Sequence, residues 1–179
     1  AKAAPCAEGS FGNGSALAAQ AHCSACPPGH ACAEAADEPV PCSPGSVANR
    51  SGLGSCVSCA AGTFQNASGG TACFECVAGS VCGVGATTPL PCDAGSFGNV
   101  TGLAVQGQCH GCPKGHYCVS GAEQPAPCPN GTYGAEPRLQ SAQCSGACSK
   151  GHYCPRGSTI STQRPCEAGT FNSAEGGTN

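Results

Sequence analysis

Large apolar residues are sparse along this chain and stand singly among small and polar residues. Leu, Ile, Val and Phe together make up 20 of the 179 residues, and glycine alone makes up 28. Pro-x-Gly, Gly-Ser and Asn-Gly segments recur every few residues, which favours turns and stops helices from propagating. The pattern predicts short, irregular β-hairpins of roughly two to four residues per strand and almost no helix. Ala16–Ala21 is the one segment with the composition of a helical turn.

Many of the isolated apolar residues belong to a repeated motif, Cys-x-x-Gly-[Ser/Thr] followed by one apolar side chain. Each motif is followed by a second and a third cysteine, and in four copies by a fourth, after which a proline precedes the next copy. The motif begins at Cys6, Cys42, Cys59, Cys92, Cys128 and Cys166, and its apolar residues are Phe11, Val47, Phe64, Phe97, Tyr133 and Phe171. Because such periodicity is the signature of repeat architectures, we predict an array of small repeats.

The repeat boundaries follow from the first cysteine of each copy. We expect the end of a preceding repeat at 1–5, repeats at 6–41, 59–91, 92–127 and 128–165, a half-repeat at 42–58, and the start of a further repeat at 166–179. Residues 166–179 parallel 59–72, after which the earlier copy has Cys73. We therefore expect a cysteine directly after Asn179 and an array that continues in both directions.

Nineteen cysteines in 179 residues are typical of a disulfide scaffold, and such scaffolds persist in extracellular or cell-surface compartments. The crosslinks take the place of a large apolar core, and each stabilises the fold by roughly 2–4 kcal/mol. The fold class predicted is therefore one of small disulfide-rich repeats.

Spacing alone does not determine which cysteines pair. A simple ladder joins Cys6–Cys23, Cys26–Cys32, Cys42–Cys56, Cys59–Cys73, Cys76–Cys82, Cys92–Cys109, Cys112–Cys118, Cys128–Cys144 and Cys148–Cys154, and leaves Cys166 unpaired. A crossed scheme keeps Cys6–Cys23 and Cys59–Cys73 but joins Cys26–Cys42 and Cys32–Cys56, and leaves Cys154 open. The two schemes differ over the six-residue loops.

The pattern Cys-x-x-Gly-[Ser/Thr]-[Phe/Tyr] with a later Cys-x-x-Cys resembles the ephrin-receptor-like cysteine-rich repeat, which is related in style to tumour-necrosis-factor-receptor modules. The segment Cys112-Pro-Lys-Gly-His-Tyr-Cys118 resembles a variant found in algal and protist surface proteins, including flagellar hair (mastigoneme) proteins. The resemblance implies an elongated rod of stacked modules that acts in adhesion, receptor stalks or extracellular filaments, and it implies no catalytic residues.

Five Asn-x-[Ser/Thr] sequons are present, at Asn13, Asn49, Asn66, Asn99 and Asn130. The first four lie seven residues after the first cysteine of a repeat, which favours a row of N-glycans at equivalent points. The alternative is that asparagine suits the local turn and the following Ser or Thr is incidental. Glycans would hydrate a chain in which only 9% of residues are charged and the net charge is −3.

The remaining chemistry argues against an enzyme and against a resident cofactor or metal. Cys-x-x-Cys pairs with His22 or His110 nearby would suggest zinc in a cytosolic protein, but disulfides account for the same cysteines. His30, His116 and His152 occupy one slot of the repeat, which indicates a turn preference or, alternatively, a pH-sensitive contact between modules. No Ser, His and Asp set stands outside the repeat, and covalent N-glycans are the only attached groups expected.

Two functions remain. The first is a structural extracellular glycoprotein that self-associates in a filament, flagellar hair or surface coat. The second is a stalk or ligand-binding ectodomain segment of a membrane receptor, which should expose a patch of aromatic and arginine side chains. Spare aromatic residues are few, which favours the first. The sparse charges, with neither sign clustered, argue against a nucleic-acid partner, and no stretch is long and apolar enough for a membrane span.

Overall fold

The structure is a computed structural model that describes residues 5–12 and 23–178. Within them lie strands β1 Ser10–Phe11, β2 Ser24–Ala25, β3 His30–Ala31, β4 Val40–Pro41, β5 Ser46–Val47, β6 Val57–Ser58, β7 Thr63–Phe64, β8 Phe74–Glu75, β9 Ser80–Val81, β10 Leu90–Pro91, β11 Ser96–Phe97, β12 His110–Gly111, β13 His116–Tyr117, β14 Ala126–Pro127, β15 Thr132–Tyr133, β16 Gly146–Ala147, β17 His152–Tyr153 and β18 Arg164–Pro165. Consecutive strands pair as nine antiparallel hairpins.

Helix is almost absent, as predicted. The described residues contain one 3₁₀ helix, Gln106–Gln108, and no α-helix. The segment Ala16–Ala21, for which we predicted a helical turn, lies outside the described residues.

A Cys-x-x-Gly turn precedes the first strand of every hairpin, and its hydrogen bonds explain the sequence motif. In the copy at Cys59, the N–H of Thr63 donates to the carbonyl of Ala60 with 3.0 Å between N and O. Gly62 has a φ of +85°, which suits glycine at the third position of a type II turn. The Thr63 hydroxyl donates to the same Ala60 carbonyl at 2.7 Å. Ser or Thr therefore follows the glycine because its hydroxyl gives the turn a second hydrogen bond.

The same turn occurs in ten places, of which six open the repeats and the half-repeat and four lie inside the repeats. At these four first cysteines the glycine is followed by His or Ser, and these are Cys26, Cys76, Cys112 and Cys148. We call each turn together with the residues up to the next turn a layer. A full repeat of the sequence contains two layers, and the half-repeat 42–58 contains one.

Three backbone hydrogen bonds join a layer to the next, except that the layer of Cys76 has two, and the layer of Cys112 illustrates all three. The N–H of Gly115 donates to the carbonyl of Gly134 at 2.9 Å, and the N–H of Cys128 donates back to the carbonyl of Gly115 at 2.8 Å. The N–H of Arg138 donates to the carbonyl of Cys112 at 2.7 Å. Equivalent bonds recur along the chain, so successive layers are packed by one backbone rule.

The residue that makes the third of these bonds has a positive φ. It is glycine in six layers, whereas Ala35 and Arg138 occupy the position with φ values of 60° and 63°. A side chain in this conformation costs about 1–2 kcal/mol. These two layers therefore carry backbone strain that the others avoid.

Turn glycines also approach the layer two places further along. A Cβ on Gly29 would lie 2.3 Å from the carbonyl oxygen of Gly69, and one on Gly115 would lie 2.4 Å from that of Gly157. Both distances are far below an ordinary van der Waals contact, so a side chain at either glycine would push the two layers apart.

The buried interior is formed mainly by cystine sulfur. Among the described residues, fourteen of the seventeen buried apolar residues are cysteines, and the other three are Ala48, Val81 and Leu103. The aromatic residues of the motif are mostly half-buried, as where Phe64 packs on Phe74 with 5.9 Å between ring centroids. The disulfides therefore supply the core in place of large apolar side chains.

The chain divides into two compact units. The first consists of Ala1–Cys76 and Cys82–Pro89 and contains hairpins β1–β2 to β7–β8. The second consists of Val77–Val81 and Leu90–Asn179 and contains hairpins β9–β10 to β17–β18. It also holds the small apolar cluster of Val81, Cys92, Leu103 and Cys109.

Candidate glycosylation and interaction surface

Nine disulfides are present in the structure, and they follow the ladder rather than the crossed scheme. They are Cys6–Cys23, Cys26–Cys32, Cys42–Cys56, Cys59–Cys73, Cys76–Cys82, Cys92–Cys109, Cys112–Cys118, Cys128–Cys144 and Cys148–Cys154. Their Cα–Cα distances run from 5.7 to 6.0 Å, within the usual range for disulfides. Cys166 is free and half-buried.

Four of the five sequon asparagines fall within the described residues, and all four side chains are exposed: Asn49, Asn66, Asn99 and Asn130. Asn13 lies outside the described residues. The turn glycine of the preceding layer donates its N–H to the carbonyl of the residue just before the asparagine. This holds for Asn49, Asn66 and Asn99. The layer contact therefore fixes the backbone beside the asparagine, while its amide points to solvent and is accessible to a modifying enzyme.

The hydroxyl of one sequon also has a structural contact. Ser68 donates to the carbonyl of Cys42 in the preceding layer at 3.1 Å, and Gly69, which follows it, has a φ of +74°. Part of the Asn-x-Ser-Gly pattern is therefore accounted for by packing between layers, whatever is attached to Asn66.

The three histidines of the repeat slot share one contact. The Nδ1 atoms of His30, His116 and His152 lie 3.1 to 3.2 Å from the carbonyl oxygen two residues earlier. Each ring is half-buried against its own turn. This geometry supports the turn preference among the two interpretations, because the hydrogen bond is local to each layer.

The described residues contain no group of three or more His, Cys, Asp or Glu side chains that could hold a metal ion. They also contain no helix able to cross a membrane.

Exposed apolar side chains occupy equivalent positions in three successive layers, which sequence reasoning missed. Val40, Val57 and Phe74 each begin the second strand of a hairpin, and 61%, 60% and 55% of their surfaces are exposed. The signal in the sequence is a large apolar residue at a constant offset before the next first cysteine.

Comparison with known proteins agrees with the layer geometry. Residues 45–89 match the family model described as tyrosine-protein kinase ephrin type A/B receptor-like. The search of curated proteins finds no match for the chain. The matched range begins at the turn glycine of one layer and includes the hairpins β5–β6 and β7–β8. Together with the nine disulfides and the repeated turn, the match over residues 45–89 fits a cysteine-rich repeat array.

Proposed function

We propose that the chain is a structural extracellular glycoprotein and a building block of a filament, flagellar hair or surface coat. The observation that carries the proposal is the uniform backbone rule between layers, by which each layer presents the same donors and acceptors to the next. In repeat proteins each unit contacts chiefly its neighbours, so such a chain builds length rather than an enclosed site. We assign it no catalytic activity and no cofactor.

N-glycans at Asn13, Asn49, Asn66, Asn99 and Asn130 belong to the same proposal. The four described side chains are exposed, and a surface with 9% charged residues gains hydration and protection from proteases when sugars cover it. The regular phase of the first four sites would place sugar at one point of several layers and leave other faces free for contact.

A receptor stalk or ligand-binding ectodomain is the second candidate, and two observations favour it. The family match is to a receptor-like repeat, and the exposed Val40, Val57 and Phe74 offer apolar contact area to a ligand. Disulfide-rich repeats of this type belong outside the cell in both cases.

Electron microscopy of native material purified without reductant tests the structural proposal. We expect continuous filaments with a regular axial repeat and peripheral density that is lost on enzymatic removal of N-glycans. A matched sample treated with reductant should lose the filaments, because the disulfides form the core. Separate particles, or particles attached to membrane, would contradict the structural proposal and favour the receptor.

A further inference from the structure

Three carboxylates lie close together in the loop between β3 and β4 of the first unit. Glu34, Asp37 and Glu38 are all exposed. The described residues provide none of the three with an ion pair or a side-chain hydrogen bond. This acidic loop thus carries a local charge of −3 that the described part of the same chain leaves unneutralised.

Backbone contacts in the second unit bring three cations to one turn. The N–H of Arg138 donates to the carbonyl of Cys112, two residues before Lys114, at 2.7 Å. The carbonyl oxygen of Gly157, next to Arg156, lies 2.4 Å from the position of a Cβ on Gly115. The backbones of Lys114, Arg138 and Arg156 therefore converge on one turn, which we call the basic turn.

The basic turn is also free of partners. Its three side chains are exposed, and within the described residues no ion pair or side-chain hydrogen bond involves them. From 110 to 165 the chain has five Lys and Arg but only two acids, Glu123 and Glu136. Basic residues therefore outnumber acidic residues around the basic turn.

One scaffold position is shared by the two sets and carries opposite charge in them. Glu34 lies eight residues after Cys26, and Arg156 lies eight residues after Cys148, in layers with the same six-residue disulfide loop. Glu8 and Lys114 both lie two residues after the first cysteine of a layer. Because the same turn carries either sign, charge at these positions is free to serve contact rather than folding.

We propose that the acidic loop of one copy of this chain docks on the basic turn of a second copy. The contact joins two different surfaces, so each copy offers one acidic and one basic surface to neighbouring copies. Exposed ion pairs contribute little affinity individually, so these charges set the register and orientation of neighbouring copies. The inference rests on the proposed self-association and assigns its surfaces.

Charge-reversal variants of the full 179-residue chain test the contact by sedimentation velocity at a series of NaCl concentrations. The basic variant is Lys114→Glu with Arg156→Glu, and the acidic variant is Glu34→Arg with Asp37→Lys. Glu8 occupies the position equivalent to Lys114, and Glu34 occupies the position equivalent to Arg156. The scaffold therefore accepts either sign of charge at these positions. Glu75→Lys with Glu123→Lys is the control, because it reverses two exposed acids outside the acidic loop.

We expect either reversal to weaken association at least tenfold, and the combination of both to restore it to within about threefold of wild type. Association of the wild type should also weaken about tenfold between 0.05 and 0.5 M NaCl, because screening shortens the reach of exposed charges. The control should stay within about threefold of wild type.

Three results would overturn the inference, and they separate it from the proposed function. If wild type associates but is insensitive to salt and to both reversals, the filament proposal stands and the assigned surfaces are wrong. If the combined variant stays as weak as either single reversal, the two surfaces do not meet. If wild type is monomeric at all salt concentrations, both the assigned contact and the proposed self-association are wrong. Heparin binding that is lost only in the basic variant would then identify a polyanion as the partner.

Discussion

The close approach of turn glycines to the second layer along is testable by a series of glycine-to-alanine substitutions. Gly115 has a φ of +76°, and its Cβ would lie 2.4 Å from the Gly157 carbonyl oxygen and 3.2 Å from Thr159. Gly151 is the equivalent glycine of another layer, with a φ of +74° and nothing within 4 Å of its Cβ position. Gly107 has neither a positive φ nor a neighbour within 4 Å. The three positions separate the cost of the backbone conformation from the cost of the collision.

The expected magnitudes follow from these two costs. Alanine at Gly107 should change the free energy of unfolding by less than about 0.5 kcal/mol, as is usual for surface sites. Alanine at Gly151 should cost about 1–2 kcal/mol for a side chain in the left-handed region. Alanine at Gly115 should carry the same backbone cost and about 1–3 kcal/mol more for overpacking. The extra cost arises because the Gly157 carbonyl must move by roughly 1 Å to reach an ordinary van der Waals distance from the new Cβ. The total expected there is about 3 kcal/mol.

Guanidinium chloride unfolding with intact disulfides measures the series, followed by tyrosine fluorescence. The chain contains three tyrosines and no tryptophan, and Tyr117, Tyr133 and Tyr153 all lie in the second unit with the substituted glycines. The signal therefore reports on that unit alone, and linear extrapolation gives the free energy of each variant.

Two outcomes would refute the reasoning. Equal losses for the Gly115 and Gly151 variants would mean that the backbone of the second layer along is not close to the turn. A Gly151 variant as stable as the Gly107 variant would mean that the turn does not hold its glycine in a strained conformation.

Three further predictions concern the positive-φ exception, the disulfide ladder and the glycans. Arg138→Gly should stabilise the second unit by about 0.5–1 kcal/mol in the same unfolding assay, whereas Arg138→Ala, which keeps the strained φ of 63°, should not. Digestion with trypsin and a glutamate-specific protease, without reductant, should release residues 76–114 joined to 115–123 through Cys112 and Cys118, whereas 76–114 joined to 124–138, which contains Cys128, would show crossed pairing. Asn66→Gln should remove one N-glycan from protein secreted by a eukaryotic host, seen as a mass loss on electrophoresis, whereas Asn172→Gln outside any sequon should leave the mass unchanged.

Some of the architecture is readable from individual residues. The turns follow from glycine and proline, and the absence of long helices follows from their frequency, because both effects act within a few residues of chain. Cysteine density likewise indicates a fold held by disulfides. The phase of Asn49, Asn66 and Asn99 needs no coordinates, and it leads to the three exposed asparagines that the structure contains.

Other features depend on which segments meet in space. The sequence motif requires Ser or Thr after the glycine, so the turns at Cys26, Cys112 and Cys148, where His follows it, escape the motif although backbone hydrogen bonding makes them equivalent. The left-handed residues Ala35 and Arg138 have no local signal, because the bond that holds each of them comes from the preceding layer.

The sequence by itself determined the repeat, the oxidised compartment and the short hairpins, because each rests on local conformational preference or on composition. Only the tertiary structure decided that the layer is half of the sequence repeat, that cystine sulfur forms the core, and that Lys114, Arg138 and Arg156 share one turn. Those properties arise from contacts between layers, where the backbones of residues from 13 to 45 positions apart meet. One sequence contains no direct record of such contacts.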